Sequence, residues 1–135
     1  MRTADLIQRN YHRIVEPHGL TIQQYNVLRI LRGAGEAGLP TLDIGERMIE
    51  QTPGITRLLD RLEVKKMVRR QRSERDRRQV FCWITPVGLG LLEDIDTPID
   101  QAGLDAFGGL DESEVRSLIL KLERLRQTLG KLLRQ

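Results

Sequence analysis

Residues 51–85 combine an amphipathic helical pattern with two short β-type segments on either side of an arginine-rich turn. Thr52 offers an N-cap hydroxyl, and Pro53 suits the first helical position, where no backbone N–H is needed. Residues 67–68 and 80–85 are β-branched or aromatic enough to form strands. The helix is predicted to end near Lys66, because the strand-type residues begin at Met67. Its apolar face is formed by residues at helical spacing: Ile55, Leu58, Leu59 and Leu62. This stretch therefore predicts a helix next to a basic β-hairpin.

Positive charge is concentrated in the same part of the chain. Residues 47–78 contain 11 Lys/Arg and 5 Asp/Glu, whereas residues 1–46 contain 5 of each and residues 86–135 contain 6 against 9. A basic lobe beside neutral and acidic segments favours phosphate contact through one surface and assembly through another. A helix followed by a basic hairpin is the arrangement of a winged helix-turn-helix, in which the helix enters the major groove of DNA. A solvated charged face is the alternative.

The exposed N-terminal part of this helix is expected to meet base edges in the major groove. Gln51 suits adenine by geometry, Pro53 can contact a thymine methyl group, and Arg57 can bind either guanine or a phosphate. Arg61 and Lys65 are expected to lie too far along the helix for base contacts. The predicted contact residues on the helix are Gln51, Thr52, Pro53, Gly54, Thr56 and Arg57.

The turn between the two strands is expected to form a wing that contacts DNA. Mutual repulsion of its arginines disfavours the isolated hairpin, and Asp76 is predicted to relieve it by holding one guanidinium in a bidentate pair. Such a clamp without any DNA contact is the alternative, and the two roles are compatible. The predicted wing contacts are Arg72, Arg75, Arg77 and Arg78.

These motifs resemble the DNA-binding lobe of the MarR family of bacterial transcriptional regulators. TRLLDRLE at residues 56–63 is similar to the family's recognition helix. Asp76-Arg77-Arg78, a strand ending in Ile84-Thr85 and a helix opening with x-x-Gly follow as they do in the family. The resemblance covers Leu39 to Leu92 most closely, and the flanking helices agree in position and pattern.

The resemblance implies several roles that the residues alone do not establish. Arg78 would enter a narrow, A·T-rich minor groove or anchor the wing. Lys66 stands where the family commonly has Gly, and a left-handed Lys costs about 1 kcal/mol. The terminal helices would form a dimer. A small aromatic anion, unidentified, would bind between the DNA-binding and dimerisation parts, with these residues as conceivable lining: Tyr11, His12, Arg13 and Tyr25.

The segments before residue 51 predict three helices and one short strand. Residues 3–15 and a segment beginning at Thr21 have helical apolar patterns, and Leu39-Pro40 can form a short edge strand. Thr41 is predicted to cap a third helix. Leu42, Ile44 and Met48 are expected to face inward on that helix, with Gly45 at a close approach between helices.

The C-terminal segment predicts a helix from about Val87 to Asp96, which Pro98 and Gly103 are expected to interrupt or bend. Asp111 caps a last helix with Glu114 at the capping-box distance. Its apolar residues are spaced 3, 4, 3, 4 and 3 apart, which indicates a dimerisation seam, although a core-facing stripe is the alternative. The predicted dimerisation residues are Leu6, Val115, Leu118, Leu122, Leu125, Leu129 and Leu132.

Taken together, the 135 residues predict one domain of mainly α class with a small β-hairpin wing (α+β). Residues 20–92 would form the DNA-binding lobe, and residues 1–19 and 93–135 the dimerisation helices. The single Cys82, predicted to be a core residue, excludes an internal disulfide. No leader and no apolar run of about 18 residues is present, so a cytoplasmic protein is expected.

Three functions are consistent with this pattern. The first is a sequence-specific, homodimeric regulator of double-stranded DNA, most often a repressor by resemblance. The others are a winged-helix module for an acidic protein partner and a nonspecific, nucleoid-type DNA binder. An enzyme is not expected, because no catalytic or metal-ligand constellation is recognisable, and no cofactor is predicted.

Overall fold

A computed structural model of the protein describes residues 2–48 and 54–133. These residues contain six α-helices, a three-stranded sheet and two short 3-10 turns. The chain forms two compact units, Met1–Ile99 and Asp100–Gln135. In chain order the elements are α1 (Arg2–Val15), α2 (Ile22–Ala34), β1 (Leu39–Pro40), α3 (Thr41–Arg47), α4 (Ile55–Val64), β2 (Val68–Arg72), β3 (Val80–Ile84), α5 (Pro86–Ala106) and α6 (Glu112–Leu132). The predicted fold class is confirmed.

The sheet is antiparallel, with strand order β1-β3-β2. β3 is its central strand, and Cys82 pairs with Leu39 on one side and with Arg70 on the other. The predicted edge strand at Leu39-Pro40 and the predicted hairpin are therefore both present. Alternation along β3 buries Cys82 completely and leaves Phe81 and Trp83 on the opposite face.

One apolar core holds the N-terminal unit together. The predicted inner face of α4 is confirmed, since Leu59 and Leu62 are fully buried and Ile55 and Leu58 pack against the same core. Cys82 belongs to this core, and burial raises the pKa of its thiol, so it is protonated at neutral pH. The other fully buried large side chains include Val15, Val27, Leu28, Leu31, Ile44, Leu92 and Ile95.

Two helices begin with a reciprocal capping box. Thr21 accepts from the Gln24 amide N–H, while the Gln24 side chain accepts from the Thr21 N–H, each at 3.1 Å. Asp111 and Glu114 make the same pair of bonds at 2.8 Å, as predicted for the start of α6. Each box pairs two amide groups that the first turn of a helix leaves without a partner.

The predictions for α3 need three corrections. Thr41 is the first residue of the helix rather than its cap, and its hydroxyl donates to the Val80 carbonyl oxygen at 3.1 Å. Leu42 is 79% exposed instead of buried, because it lies about 200° around the helix axis from the buried Ile44. A Cβ at Gly45 would meet nothing within 4 Å among the described residues, so the predicted close approach is absent from that part of the chain.

The boundaries of α4 also differ from the prediction. The helix begins at Ile55, and Gly54 is its N-cap with φ 105°. Thr52 and Pro53, which were expected to cap and start the helix, lie outside the described residues. At the other end, Lys66 adopts the left-handed conformation with φ 60°, the geometry expected of the glycine that the family commonly has there.

α5 is one continuous helix, so the predicted interruption at Pro98 and Gly103 is wrong, whereas the alternative of a bend there stays a prediction. Proline in a helix interior costs about 3 kcal/mol through its missing N–H and a steric clash. Ile95 is fully buried and Ile99 packs against the core within the same turn. Burial of such side chains is worth about 1.5–3 kcal/mol each, which is enough to offset the cost of Pro98.

Candidate nucleic-acid interface

The outer face of α4 presents polar side chains at its N-terminal end. Thr56 and Arg57 are both exposed, and Gly54 precedes them at the N-cap. Of the predicted base-contact residues, these three are described, whereas Gln51, Thr52 and Pro53 lie outside the described residues. The helix therefore offers a hydroxyl and a guanidinium at the end that a recognition helix directs toward base edges.

The tip of the wing is held by side chains that bond to its own backbone. The Ser73 hydroxyl accepts from the amides of Arg75 and Asp76 at 3.2 and 3.3 Å. Asp76 Oδ1 accepts from the Arg78 amide at 3.0 Å. The Ser73 amide donates to the Gln79 carbonyl at 2.9 Å and closes the turn. Local bonds of this type fix a turn without using any arginine side chain.

The predicted guanidinium clamp by Asp76 is therefore corrected. Its carboxylate binds a backbone amide, and no ion pair joins it to an arginine among the described residues. Arg78 lies two positions after Asp76, so the Asx-type backbone bond forms locally and uses one oxygen of the carboxylate. Arg72 is the last residue of β2 rather than part of the tip, and the exposed arginines of the wing are Arg72, Arg75, Arg77 and Arg78.

A trough of about 240 Å³ lies between α3, α4 and the wing. It brings Thr56 of α4 and Arg78 of the wing, 22 positions apart in sequence, to the same cleft. Leu42, the exposed leucine of α3, lies on its wall. The other lining residues are Pro40, Thr41, Asp43, Arg70, Gln79 and Val80.

Arg70 connects the wing strand to the recognition helix, a role that sequence reasoning missed. Its Nε and Nη2 atoms donate to Glu63 Oε2 at 3.0 and 2.5 Å, and Nη2 also donates to Asp60 Oδ1 at 2.6 Å. The hydrogen bond to Glu63, with Asp60 nearby, raises the pKa of the Arg70 guanidinium. The signal available in the sequence was the pair of acids three residues apart on α4.

The base of the wing is joined to α5 through one threonine. The Thr85 hydroxyl donates to the Lys66 carbonyl at 2.6 Å and accepts from the Gly88 amide at 3.2 Å, as an N-cap hydroxyl does. A Cβ at Gly88 would lie 2.6 Å from the Met67 carbonyl oxygen and 2.8 Å from Ile84 Cγ1. The glycine of the x-x-Gly motif therefore permits close packing of α5 on the wing base.

A second cleft, of about 1000 Å³, lies in the N-terminal unit between α1, α2 and residues Met48 and Ile99. All four conceivable lining residues from the sequence line this cleft: Tyr11, His12, Arg13 and Tyr25. Arg29, which sequence reasoning missed, adds a guanidinium whose carbon lies 5.7 Å from the centre of the Tyr25 ring. Its walls thus combine aromatic and apolar groups with cations.

α6, in the C-terminal unit, contains no buried residue. The leucines of the predicted seam on α6 are exposed by 37% at Leu118 to 61% at Leu132, Val115 is partly buried, and Leu6 of α1 is 63% exposed. Single exposed leucines are common on protein surfaces, but a continuous apolar stripe of this length is not. Among the described residues, no group of three or more His, Cys, Asp or Glu could hold a metal ion, and no helix is long and apolar enough to cross a membrane.

The three-stranded sheet, the helix pair α3–α4 and the basic hairpin define a winged helix-turn-helix DNA-binding protein. The model of the MarR family matches residues 20–80. The HTH-type transcriptional regulator MhqR of Bacillus subtilis (strain 168) is 33% identical over 120 residues, covering 88% of this chain and 81% of the regulator. The chain belongs to the MarR family and is a transcriptional regulator that binds DNA.

Solved structures agree with this assignment. A MarR transcription factor from Planctomyces limnophilus is 38% identical, with a TM-score of 0.71 over 90% of this chain and 88% of that one. The Staphylococcus aureus MepR–DNA complex has a TM-score of 0.85 over 93% of this chain and 91% of that one. At 22% identity, the second comparison supports the fold alone.

Proposed function

We propose that the protein is a homodimeric, sequence-specific repressor of a pseudo-palindromic operator, acting in the cytoplasm where bacterial operators lie. The observation that carries this proposal is the convergence of Thr56 and Arg78 on one trough. A recognition helix and a wing that share a cleft can straddle one strand of the DNA backbone, with the helix in the major groove and the wing reaching the minor groove.

The wing is suited to a phosphate or minor-groove contact because its tip is ordered before DNA arrives. Ser73 and Asp76 hold the turn through backbone amides, and Arg75, Arg77 and Arg78 stay exposed without an ion pair among the described residues. Their charges are therefore available to DNA. Binding would not first have to break internal salt bridges or order the loop.

Two copies related by a twofold axis would present two recognition helices to two half-sites about one helical turn apart. The partly exposed leucine seam of α6 and the exposed Leu6 support this arrangement. Repression, rather than activation, follows the common behaviour of the family and depends on where the operator lies relative to its promoter.

The proposal is tested by selecting duplexes from a randomised library on the protein, then measuring affinity by fluorescence anisotropy across a salt series. We expect one enriched motif with two related half-sites, bound at least about a thousandfold more tightly than a scrambled duplex. Arg78→Ala should weaken binding about tenfold or more and reduce the slope of log K against log salt by about 1. Arg124→Ala removes a positive charge from the C-terminal unit and should leave both values unchanged.

Other outcomes would favour the other two functions. A steep salt dependence without any enriched motif would contradict sequence specificity and indicate a nonspecific DNA binder. Absence of binding at low salt would contradict the assignment of the wing, and the basic surface would then be tested for an acidic protein partner. If Arg78→Ala left the slope of log K against log salt unchanged, Arg78 would not be a phosphate contact.

We further propose that the large cleft of the N-terminal unit accepts a small aromatic anion that releases DNA. Tyr11 and Tyr25 supply aromatic surface, and Arg13 and Arg29 supply positive charge within one cavity. Met48 lines the same cavity and belongs to the apolar core that also contains Leu59 and Leu62 of α4. A ligand that contacts Met48 can therefore change the position of α4.

This second proposal is tested with benzoate as the probe and neutral benzamide as its control. Benzoate is expected to bind by calorimetry and to lower operator affinity, whereas benzamide should act about tenfold more weakly because it lacks the charge that the arginines attract. Arg29→Ala should weaken the response to benzoate by a similar factor, and Arg116→Ala should not change it. Equal responses to both compounds, or no binding of either, would contradict the proposal without affecting DNA recognition.

A further inference from the structure

We propose that Arg70 is a positioning residue that sets the angle between the recognition helix and the wing, so that the two elements fit the same operator. The inference rests on the proposed function, because it concerns how two DNA-reading elements are held together. Arg70 lies on β2 and binds Asp60 and Glu63 on α4 through three hydrogen bonds.

The contact differs from an ordinary surface ion pair. The Arg70 side chain is 21% exposed, and one planar guanidinium holds two carboxylates at N–O distances of 2.5 to 3.0 Å. Exposed pairs contribute little because they are hydrated and mobile, whereas a half-buried guanidinium with several charged partners has a defined geometry. Among the arginines in the described parts of α4 and the wing, Arg70 is the one that forms ion pairs.

The position of Arg70 along the strand gives it control of the angle. The base of the hairpin is fixed at Lys66 and Met67, which bond to Thr85. Residues 65–67 alone connect α4 to β2, so these bonds fix the hairpin at the point where it leaves the helix. Arg70 binds α4 three residues beyond Met67, about 10 Å farther along the strand. β3 is also held to β1 and, through the Thr41–Val80 bond, to α3. Arg70 adds the direct bond to α4, and at that distance from the base it restrains rotation of the hairpin relative to the recognition helix.

Arg70 also reduces the negative charge of the DNA-facing region. Asp60 and Glu63 are exposed by 53% and 41% on the recognition helix, where they would repel phosphates. With Arg70 the three groups carry a net charge of −1. Arg70 also lines the trough that contains Thr56 and Arg78. A shift of the Arg70 side chain would therefore change the distance between the recognition helix and the wing.

The test compares Arg70→Met and Glu63→Ala with Arg72→Met, which removes an exposed arginine of the same strand. Affinities for the selected operator and for a scrambled duplex are measured at a temperature at which circular dichroism shows every variant to be fully folded. Arg70→Met is expected to lower operator affinity about 30-fold and scrambled affinity only a few-fold, with an unchanged salt slope. Arg72→Met removes a predicted DNA contact and should reduce the slope of log K against log salt.

Glu63→Ala gives the sharpest result, because two effects predict opposite signs. Removing a negative charge from the interface should strengthen binding by simple electrostatics, whereas loss of positioning should weaken operator binding by about tenfold. Tighter operator binding by Glu63→Ala would overturn the inference. An unchanged operator affinity in Arg70→Met, or a salt slope reduced by about 1 in that variant, would also overturn it, because Arg70 would then be dispensable or a phosphate ligand.

A measurement without DNA keeps the inference testable if the wild-type protein prefers no operator. Hydrogen exchange of the β2 and β3 amides should accelerate about tenfold in Arg70→Met and remain unchanged in Arg72→Met, since the wing loses its side-chain attachment to α4 only in the first variant. Equal exchange rates in both variants would overturn the positioning role. A wild-type protein without operator preference would contradict the proposed function separately.

Discussion

Replacing Leu122 with glutamate is expected to convert the proposed dimer to monomers and to lower operator affinity by at least about a hundredfold. Leu122 lies at the centre of the α6 seam and is 48% exposed. In an interface with twofold symmetry each substitution occurs twice, so two carboxylates without partners would be buried together. A monomer would then bind one half-site without the contribution of the second.

The matched control is Leu120→Glu on the same helix. Leu120 is 61% exposed and lies about 160° around the axis from Leu122, on the face opposite the seam. Light scattering during size-exclusion chromatography should give a dimer mass for the wild type and Leu120→Glu, and a monomer mass for Leu122→Glu. A dimer that both variants leave intact would contradict the assignment of the α6 seam.

Gly88→Ala is expected to destabilise the folded protein by about 3 kcal/mol, because the new Cβ would overlap a backbone oxygen that cannot move aside. The Met67 carbonyl, 2.6 Å from that Cβ, accepts from the Thr85 amide at 3.0 Å and is therefore held in place. Relief would require α5 to move away from the wing base, which would also displace the Thr85 hydroxyl from Lys66.

Gly90→Ala provides the comparison within the same helix. A Cβ at Gly90 meets nothing within 4 Å among the described residues, so the substitution should stabilise the protein by up to about 1 kcal/mol through helix propensity. Thermal unfolding at equal protein concentration should place Gly88→Ala about 10 °C below the wild type and Gly90→Ala at or above it. Equal melting temperatures for the two variants would show that the close contact relaxes without cost.

Much of the fold was predictable because its determinants are local. The apolar spacing of α4, the strands on either side of residues 73–79 and the Asp111–Glu114 capping box each depend on residues a few positions apart. Two of the errors fall where a tertiary contact competes with a local preference. The Thr41 hydroxyl donates to the Val80 carbonyl oxygen on β3 instead of capping its own helix, and buried neighbours keep α5 continuous through Pro98.

The sequence by itself determined that an amphipathic helix precedes a basic hairpin and that a leucine seam runs along the last helix, since spacing and charge are properties of the chain. Only the tertiary structure decided that Thr56 and Arg78 share a trough and that Arg70 joins β2 to α4. The reason is geometric. A side chain with several equivalent partners within reach selects one through distances of a few ångströms, and residue spacing along the chain does not encode those distances.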